Sequence, residues 1–237
     1  MRLTTASASL DLASCSVFID FDGTISADDV GMHVLERLAS PGWREIDDHY
    51  ERGEIGSRQY VTELWGHLSR VPMQELLTVA KEVPLDPGTG SLVSFLRAAG
   101  SEVSVISDGL GYYVADRCAP LDIDVLANDV RGGRPTFAYA DPTCPCGLCG
   151  TCKTRPVRDA RARERTTVVV GDGTSDRHAA AVADVVFAKD RLVAWCEASS
   201  VPYLLFARLA DVEASLRRLA QGKKGRAGSA TTAPMSS

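Results

Sequence analysis

The sequence predicts an α/β fold: a parallel sheet with helices on both faces and a helical segment inserted after the first strand. Three observations predict it. Short apolar or β-branched runs recur along the chain, each closed by polar or turn residues: Ser16–Asp20, Glu102–Ser107, Asp124–Asn128, Thr166–Gly171 and Asp184–Ala188. Helical patterns lie between some of them, so strand and helix alternate as in a parallel sheet. The gap between the first two runs, residues 27–84, is long, helical in pattern and poor in β-rich runs.

Each element has a local reason. VFID is β-branched and aromatic up to its aspartate, which suits a buried strand. In the long gap, helices are expected over 28–39, 43–52, 57–68 and 73–81, forming a lid over one end of the sheet. Pro84-Leu85-Asp86-Pro87-Gly88 is the expected return hinge. A helix over 89–99 ends at Gly100, a natural C-cap, and one over 175–183 opens with Ser and Asp. The domain reading is a core of residues 1–25 with 86–237 and a helical cap of 26–85. Residues 1–13 read as a loose leader. The small, polar and basic stretch 221–237 reads as a disordered tail.

At 237 residues the chain has room for one large domain, or a core carrying a smaller insert. A net charge of -5 argues against nucleic acid or an anionic membrane as partner. No secretory signal is visible and no run reaches the ~18 apolar residues of a membrane span, so a cytoplasmic protein with reduced thiols is expected. Oligomeric state is open, a homodimer included.

Three of the expected strands end in suggestive chemistry. The first ends in Asp20 and Asp22, the second in Ser107-Asp108-Gly109, and the fourth runs into Gly171-Asp172-Gly173-Thr174-Ser175-Asp176. Open parallel sheets bind ligands beyond the carboxyl ends of their strands. Carboxylates gathered there repel one another unless a cation lies between them. A hard divalent cation such as Mg²⁺ takes oxygen ligands, often a few carboxylates plus substrate phosphate, and Asp20 with Asp172 fit that role. One of the paired aspartates would then attack phosphorus while the other moves protons. Ser107 offers a hydroxyl to a phosphate oxygen, and Lys153 offers a point charge.

DFDGT at 20–24, Ser107 after its strand, Lys153, and GDGTSD at 171–176 resemble, in order and spacing, the four motifs of the haloacid dehalogenase superfamily of phosphotransferases. That resemblance implies a Rossmann-like core and Mg²⁺-dependent phosphoryl transfer. It makes Asp20 the nucleophile and a metal ligand. It makes Asp22 the acid/base, with its main-chain carbonyl on the metal. Ser107, Asp108, Gly109 and Lys153 fall at the phosphate-binding positions. Asp172 is the remaining carboxylate ligand, and Asp176 supports the metal. The inserted helices resemble the cap of the phosphoserine-phosphatase-like branch. Within that branch, DFDGTI followed by Asp28-Asp29, CGTCK at 149–153, VVVGDGTSDRHAA at 168–180 and ADVVFAKDRLVAWC at 183–196 are similar to the methionine-salvage phosphatases, which act on 2-hydroxy-3-keto-5-methylthiopentenyl-1-phosphate. Asp108 departs from the frequent Ser-Gly-Gly loop and sets a negative side chain near the phosphate. Asp29 falls where a polar group often faces the substrate. Arg52 and Arg58 are candidates for a second anionic group.

Cys144, Cys146, Cys149 and Cys152 crowd into nine residues. Three states stay open: a tetrahedral structural Zn²⁺, unmetallated thiols in a loop that positions Lys153, and a disulfide or redox pair. The four histidines are scattered and read as structural or surface groups. The expected function is hydrolysis of a small phosphorylated metabolite. Two alternatives are a phosphotransferase or phosphomutase on the same site, and a catalytically silent, metal-bound interaction module.

Overall fold

The computed structural model describes residues 9–144 and 148–222. Among these, seven strands form one sheet in the order β4-β3-β2-β1-β5-β6-β7. β1 (Cys15–Ile19) lies inside the sheet, and all five of its residues are buried. It pairs in parallel with β2 (Glu102–Leu110) on one side and β5 (Thr166–Gly171) on the other. β3 (Asp124–Arg131) follows outside β2, while β6 (Val185–Ala188) and β7 (Leu204–Leu205) follow outside β5, all parallel. β4 (Arg134–Thr136) turns back on β3 and is antiparallel to it. Strand order therefore reverses direction at β1, and such switch points open a crevice at the carboxyl ends of the strands. This is a Rossmann-like α/β core with an inserted helical cap.

The pleat divides the core into two layers. Val17 and Ile19 of β1, Val168 and Val170 of β5, and Phe187 of β6 join one hydrophobic cluster. Phe18, Val169 and Val186 join the other. Alternate residues of a strand face opposite sides, so strands buried on both faces read as continuous apolar runs. The first layer takes in α5 (Thr89–Ala98) and α10 (Leu209–Gln221). The second takes in α7 (Thr154–Ala162), α8 (Arg177–Val182) and α9 (Asp190–Ala198). α6 (Gly111–Cys118) follows β2.

Four helices fill the long gap: α1 (Val30–Leu38), α2 (Trp43–Glu51), α3 (Ser57–Leu68) and α4 (Met73–Ala80). Their apolar faces, including Val34, Trp43, Leu64 and Leu76, are continuous with the first layer of the core. The segments entering and leaving this insert pair with each other. Ser26 bridges Leu85, Ala27 N–H donates to Pro84 O, and Asp86 N–H donates to Ile25 O.

The leader is more ordered than its composition predicts. Leu10 and Leu12 are buried, and Leu10 N–H donates to Leu219 O at 2.9 Å, so the entering chain packs on α10. α10 itself runs through Gln221, the first residue of the expected tail. The rest of the expected disorder, residues 1–8 and 223–237, lies outside the described residues. Among the described residues no helix is long and apolar enough to cross a membrane.

Asn128, fully buried on β3, ties the sheet to two loops. Its Nδ2 donates to Asp108 O at 2.6 Å and to Asp108 Oδ1 at 3.1 Å, and its Oδ1 accepts from Thr151 Oγ1 at 3.1 Å. Asn128→Ala strands these buried groups and is expected to lower stability by about 1–3 kcal/mol. Urea unfolding measures this, and an unchanged midpoint would contradict the role given to Asn128.

Candidate active site

Sheet register brings the predicted motifs together. Ile19 sits opposite both Val105 of β2 and Val170 of β5. Asp20 therefore leaves β1 one residue short of the level of Ser107 on one side and of Asp172 on the other. After Asp20 the chain makes one wide turn, closed by Ser26 N–H to Phe21 O at 2.9 Å. Gly23 takes φ 71° in this turn, and a Cβ there would lie 2.5 Å from Asp172 Oδ2. Glycine thus allows both the left-handed conformation and the close pass against the carboxylate.

Carboxylate oxygens of Asp20, Asp172 and Asp176 lie within 4.8 Å of one another. One ammonium stands among them. Lys153 Nζ reaches Asp20 Oδ1 at 2.7 Å and Asp176 Oδ1 at 2.8 Å, and it is 3 % exposed. Burial works against the lysine's charge, but Asp176 and Asp20 outweigh it and hold the ammonium protonated. Asp20 Oδ1 also accepts from Phe21 N–H at 2.7 Å. Both contacts fall on one oxygen, so Oδ2 has no hydrogen-bond partner among the described residues. Burial, with repulsion from Asp176, pushes Asp20 well above the usual carboxylate range, against the pull of Lys153. Burial and Asp176 likewise push Asp172 to about 6, opposed by the Thr24 hydroxyl, which donates to its Oδ1 at 2.7 Å. Asp176 Oδ2 accepts from Asp172 N–H and Gly173 N–H, which pins the loop. Three carboxylates against one ammonium leave surplus negative charge, and this all-oxygen donor set fits a hard divalent cation.

Asp22 faces a different surrounding. Its Oδ2 accepts from Tyr113 OH at 2.9 Å, with Ser107 Oγ approaching at 3.5 Å, and its Oδ1 accepts from Val30 N–H at 3.0 Å. Burial and repulsion from Asp29 push it up to about 8, against these hydrogen bonds. Such surroundings favour the protonated form of the carboxyl. Gly109 N–H donates to Ser107 Oγ at 3.0 Å, and a Cβ at Gly109 would meet Tyr113 OH at 2.1 Å. Only glycine lets that tyrosine reach Asp22.

Other expected site residues have different partners. Asp108 turns toward the sheet, where its Oδ1 accepts from Asn128 and from Thr151 N–H at 2.8 Å. It braces the loop that carries Lys153. Asp29 lines the cleft, but its Oδ1 is engaged as the N-cap of α1, accepting from Met32 N–H at 2.8 Å. Arg52 pairs with exposed Glu54. Arg58 donates to Cys149 O at 3.3 Å and lies near the Phe137 ring. Neither arginine lines the cleft. Cys144 and Cys152 are buried and Cys149 partly so, while Cys146 lies outside the described residues. Among the described residues, Asp20, Asp172 and Asp176 form the one group with metal-ligand spacing, so the zinc expectation gains no support.

The cleft above these groups encloses about 500 Å³. Met32, Leu35, Leu64 and Trp65 of the insert give it an apolar wall, and Tyr50 and Tyr60 add aromatic faces. Lys189 and Arg191 line the core side. Arg191 pairs across the mouth with Glu51 of α2. The motifs did not single out Thr24, Tyr113, Lys189 or Arg191. Thr24 lay inside the quoted DFDGT, and Lys189-Asp190-Arg191 follows an expected strand end.

A family model described as haloacid dehalogenase-like hydrolase matches residues 17–181, and the chain belongs to that family. It is a hydrolase. Its curated relatives include two proteins named 2-hydroxy-3-keto-5-methylthiopentenyl-1-phosphate phosphatase. The one from Brevibacillus brevis is 28% identical over 86% of this chain and 96% of its own. The one from Bacillus mycoides is 28% identical over 89% of this chain and 99% of its own. Among solved structures, a phospho-aspartyl intermediate analogue of phosphoserine phosphatase superposes with TM-score 0.64 at 17% identity, covering 88% of this chain and 99% of that one. A substrate-bound phosphoserine phosphatase complex gives TM-score 0.64 at 17% identity, over 84% of this chain and 96% of that one. At such identities the likeness is one of fold.

The crowded carboxylates oppose folding until a cation joins them. Asp172→Asn removes a charge that touches no cationic side chain, so it is expected to raise the metal-free Tm by about 2–4 °C. The same change should abolish the Tm increase that Mg²⁺ gives the parent protein. Thermal melts with EDTA and with Mg²⁺ measure both. A lower metal-free Tm, or a surviving Mg²⁺ response, would contradict this reading of the cluster.

Proposed function

We propose that this chain is a Mg²⁺-dependent phosphomonoesterase that hydrolyses a small phosphorylated metabolite through an aspartyl phosphate on Asp20. The observation that carries the reading is the two-sided constraint on Asp20: one oxygen held by Lys153 and Phe21 N–H, the other unbonded, at the end of the central strand. Bound Mg²⁺ would be held by Asp20, Asp172 and the Asp22 carbonyl, with Asp176 in support, and would supply positive charge against the carboxylates and the phosphoryl group.

The chain's own groups do the rest. Asp20 Oδ2 attacks phosphorus. Asp22, protonated at neutral pH, gives its proton to the departing alcohol oxygen while Tyr113 OH steadies its carboxyl. Ser107 faces the phosphoryl group, and the Lys153 ammonium contributes its charge through its contact with Asp20. Asp22, now ionised, takes a proton from water that attacks the aspartyl phosphate, releasing phosphate and restoring Asp20. We take residues 26–85 as the cap and residues 1–25 with 86–237 as the core, and the paired segments at Ser26 and Leu85 support that boundary. Cap closure excludes bulk water from the first step.

The cleft bears on the substrate. Its cap wall offers apolar and aromatic surface, and both of its lining basic residues come from the core side. A leaving group with an apolar tail suits this wall better than one with a carboxylate. The relatives' names make 2-hydroxy-3-keto-5-methylthiopentenyl-1-phosphate the first compound to assay.

Purified protein is expected to release phosphate from this ester, with EDTA abolishing the release and Mg²⁺ restoring it. Asp20→Asn should fold normally and lose turnover to a trace. Substantial activity in that variant would remove Asp20 as nucleophile. Phosphoryl return to the substrate without net phosphate release would favour a mutase, and no reaction with any ester would favour a silent binding module.

A further inference from the structure

We infer that Lys189 is a phosphate-binding residue, the second cation that the site needs beside Lys153. This deepens the phosphatase reading and rests on it. Lys153 is consumed by Asp20 and Asp176 and does not line the cleft. Among the described residues that do, the basic ones are Lys189 and Arg191. Arg191 is committed to Glu51 across the mouth. Lys189 makes no ion pair among the described residues, and its Nζ lies 5.6 Å from the Phe206 ring centroid.

Register puts Lys189 where an anion would need it. Ala188 of β6 sits opposite Gly171 of β5, so the next residues, Lys189 and Asp172, leave the sheet side by side. Lys189 N–H donates to Gly171 O at 3.2 Å, and Leu192 N–H donates to Asp172 O at 2.7 Å, which locks the start of α9 onto the metal-ligating loop. Between Lys189 and Arg191, Asp190 is held at φ 47°. Non-glycine residues in this region are uncommon and cluster at functional turns. Residues 189–191 all line the cleft.

Charge balance supplies the reason. Asp20, Asp172 and Asp176 carry three negative charges and Lys153 one positive; a divalent cation brings the set to neutrality. A phosphoryl dianion then adds two charges that nothing named so far offsets, and in a partly dry cleft such charges are costly. Lys189 offsets one of them. Lysine suits the task as a compact charge on a flexible stem, needing no fixed fork geometry.

The test is calorimetric binding of inorganic phosphate to the full chain in Mg²⁺, for wild type, Lys189→Gln and Lys189→Arg. Lys189→Gln is expected to weaken phosphate binding about tenfold and to raise KM for an ester more than it lowers kcat. Lys189→Arg should stay within about threefold of wild type, since it keeps the charge. The Tm increase given by Mg²⁺ alone should be the same in all three. Wild-type phosphate affinity in Lys189→Gln, or a lower Tm as its sole defect, overturns the inference and leaves the phosphatase reading standing. Loss of the Mg²⁺ response in Lys189→Gln also overturns it, because Lys189 would then act through the carboxylates. Wild-type protein that neither binds phosphate nor releases it overturns both.

Discussion

The buried ammonium of Lys153 is the contact on which the site depends. It stands between Asp20 and Asp176 at 2.7 and 2.8 Å, at the carboxyl end of the central strand. Without it, three buried carboxylates would face one another with no cationic side chain between them. With it, one oxygen of Asp20 is fixed and the surplus charge is left for a metal. Much of the surrounding fold keeps that ammonium in place. Asn128 and Asp108 brace Thr151, two residues before it, and Gly150 N–H donates to Ser57 Oγ on the cap side.

The same arrangement separates the roles of two aspartates only two residues apart. Asp20 lies against a cation and a main-chain N–H. Asp22 lies against a tyrosine hydroxyl, a helix N–H and another carboxylate. In the proposed reading the first surrounding suits a nucleophile and the second a proton-carrying acid. Two carboxyl groups of the same chemistry thus meet different environments, which is what the proposed division of roles needs. The wide turn at Gly23 makes the division geometrically possible, since it points two near neighbours in sequence at different partners.

Much of this was legible in the sequence, for identifiable reasons. The strands buried on both faces have no polar face to keep, so they read as apolar runs, and all five lie within a few residues of their expected ends. The carboxylates could be assembled because parallel strands deliver their carboxyl ends to one edge. The rest lacked a local signal. β4 and β7 span three and two residues, too short for any period. α7 carries four charged residues in nine and buries only Thr154, Val157 and Ala160, so its apolar stripe is thin. Tyr113 and Thr24 act through contacts that span many residues, and only the fold brings them to Asp22 and Asp172. Asp108 looked like a threat to phosphate because its direction is invisible in sequence. In the fold it points at Asn128 and Thr151 instead.

The central claim is that Asp20 becomes covalently phosphorylated. The most direct measurement is a single turnover in ¹⁸O-labelled water, with the protein in excess over ester, followed by peptide mass spectrometry and analysis of the phosphate. Attack by Asp20 with water cleaving the phosphorus–oxygen bond predicts labelled phosphate, together with a quenched intermediate that adds a phosphoryl mass to the peptide holding Asp20. Labelled phosphate with no phosphorylated peptide at any quench time, while turnover proceeds, would mean direct attack by water and would contradict the account.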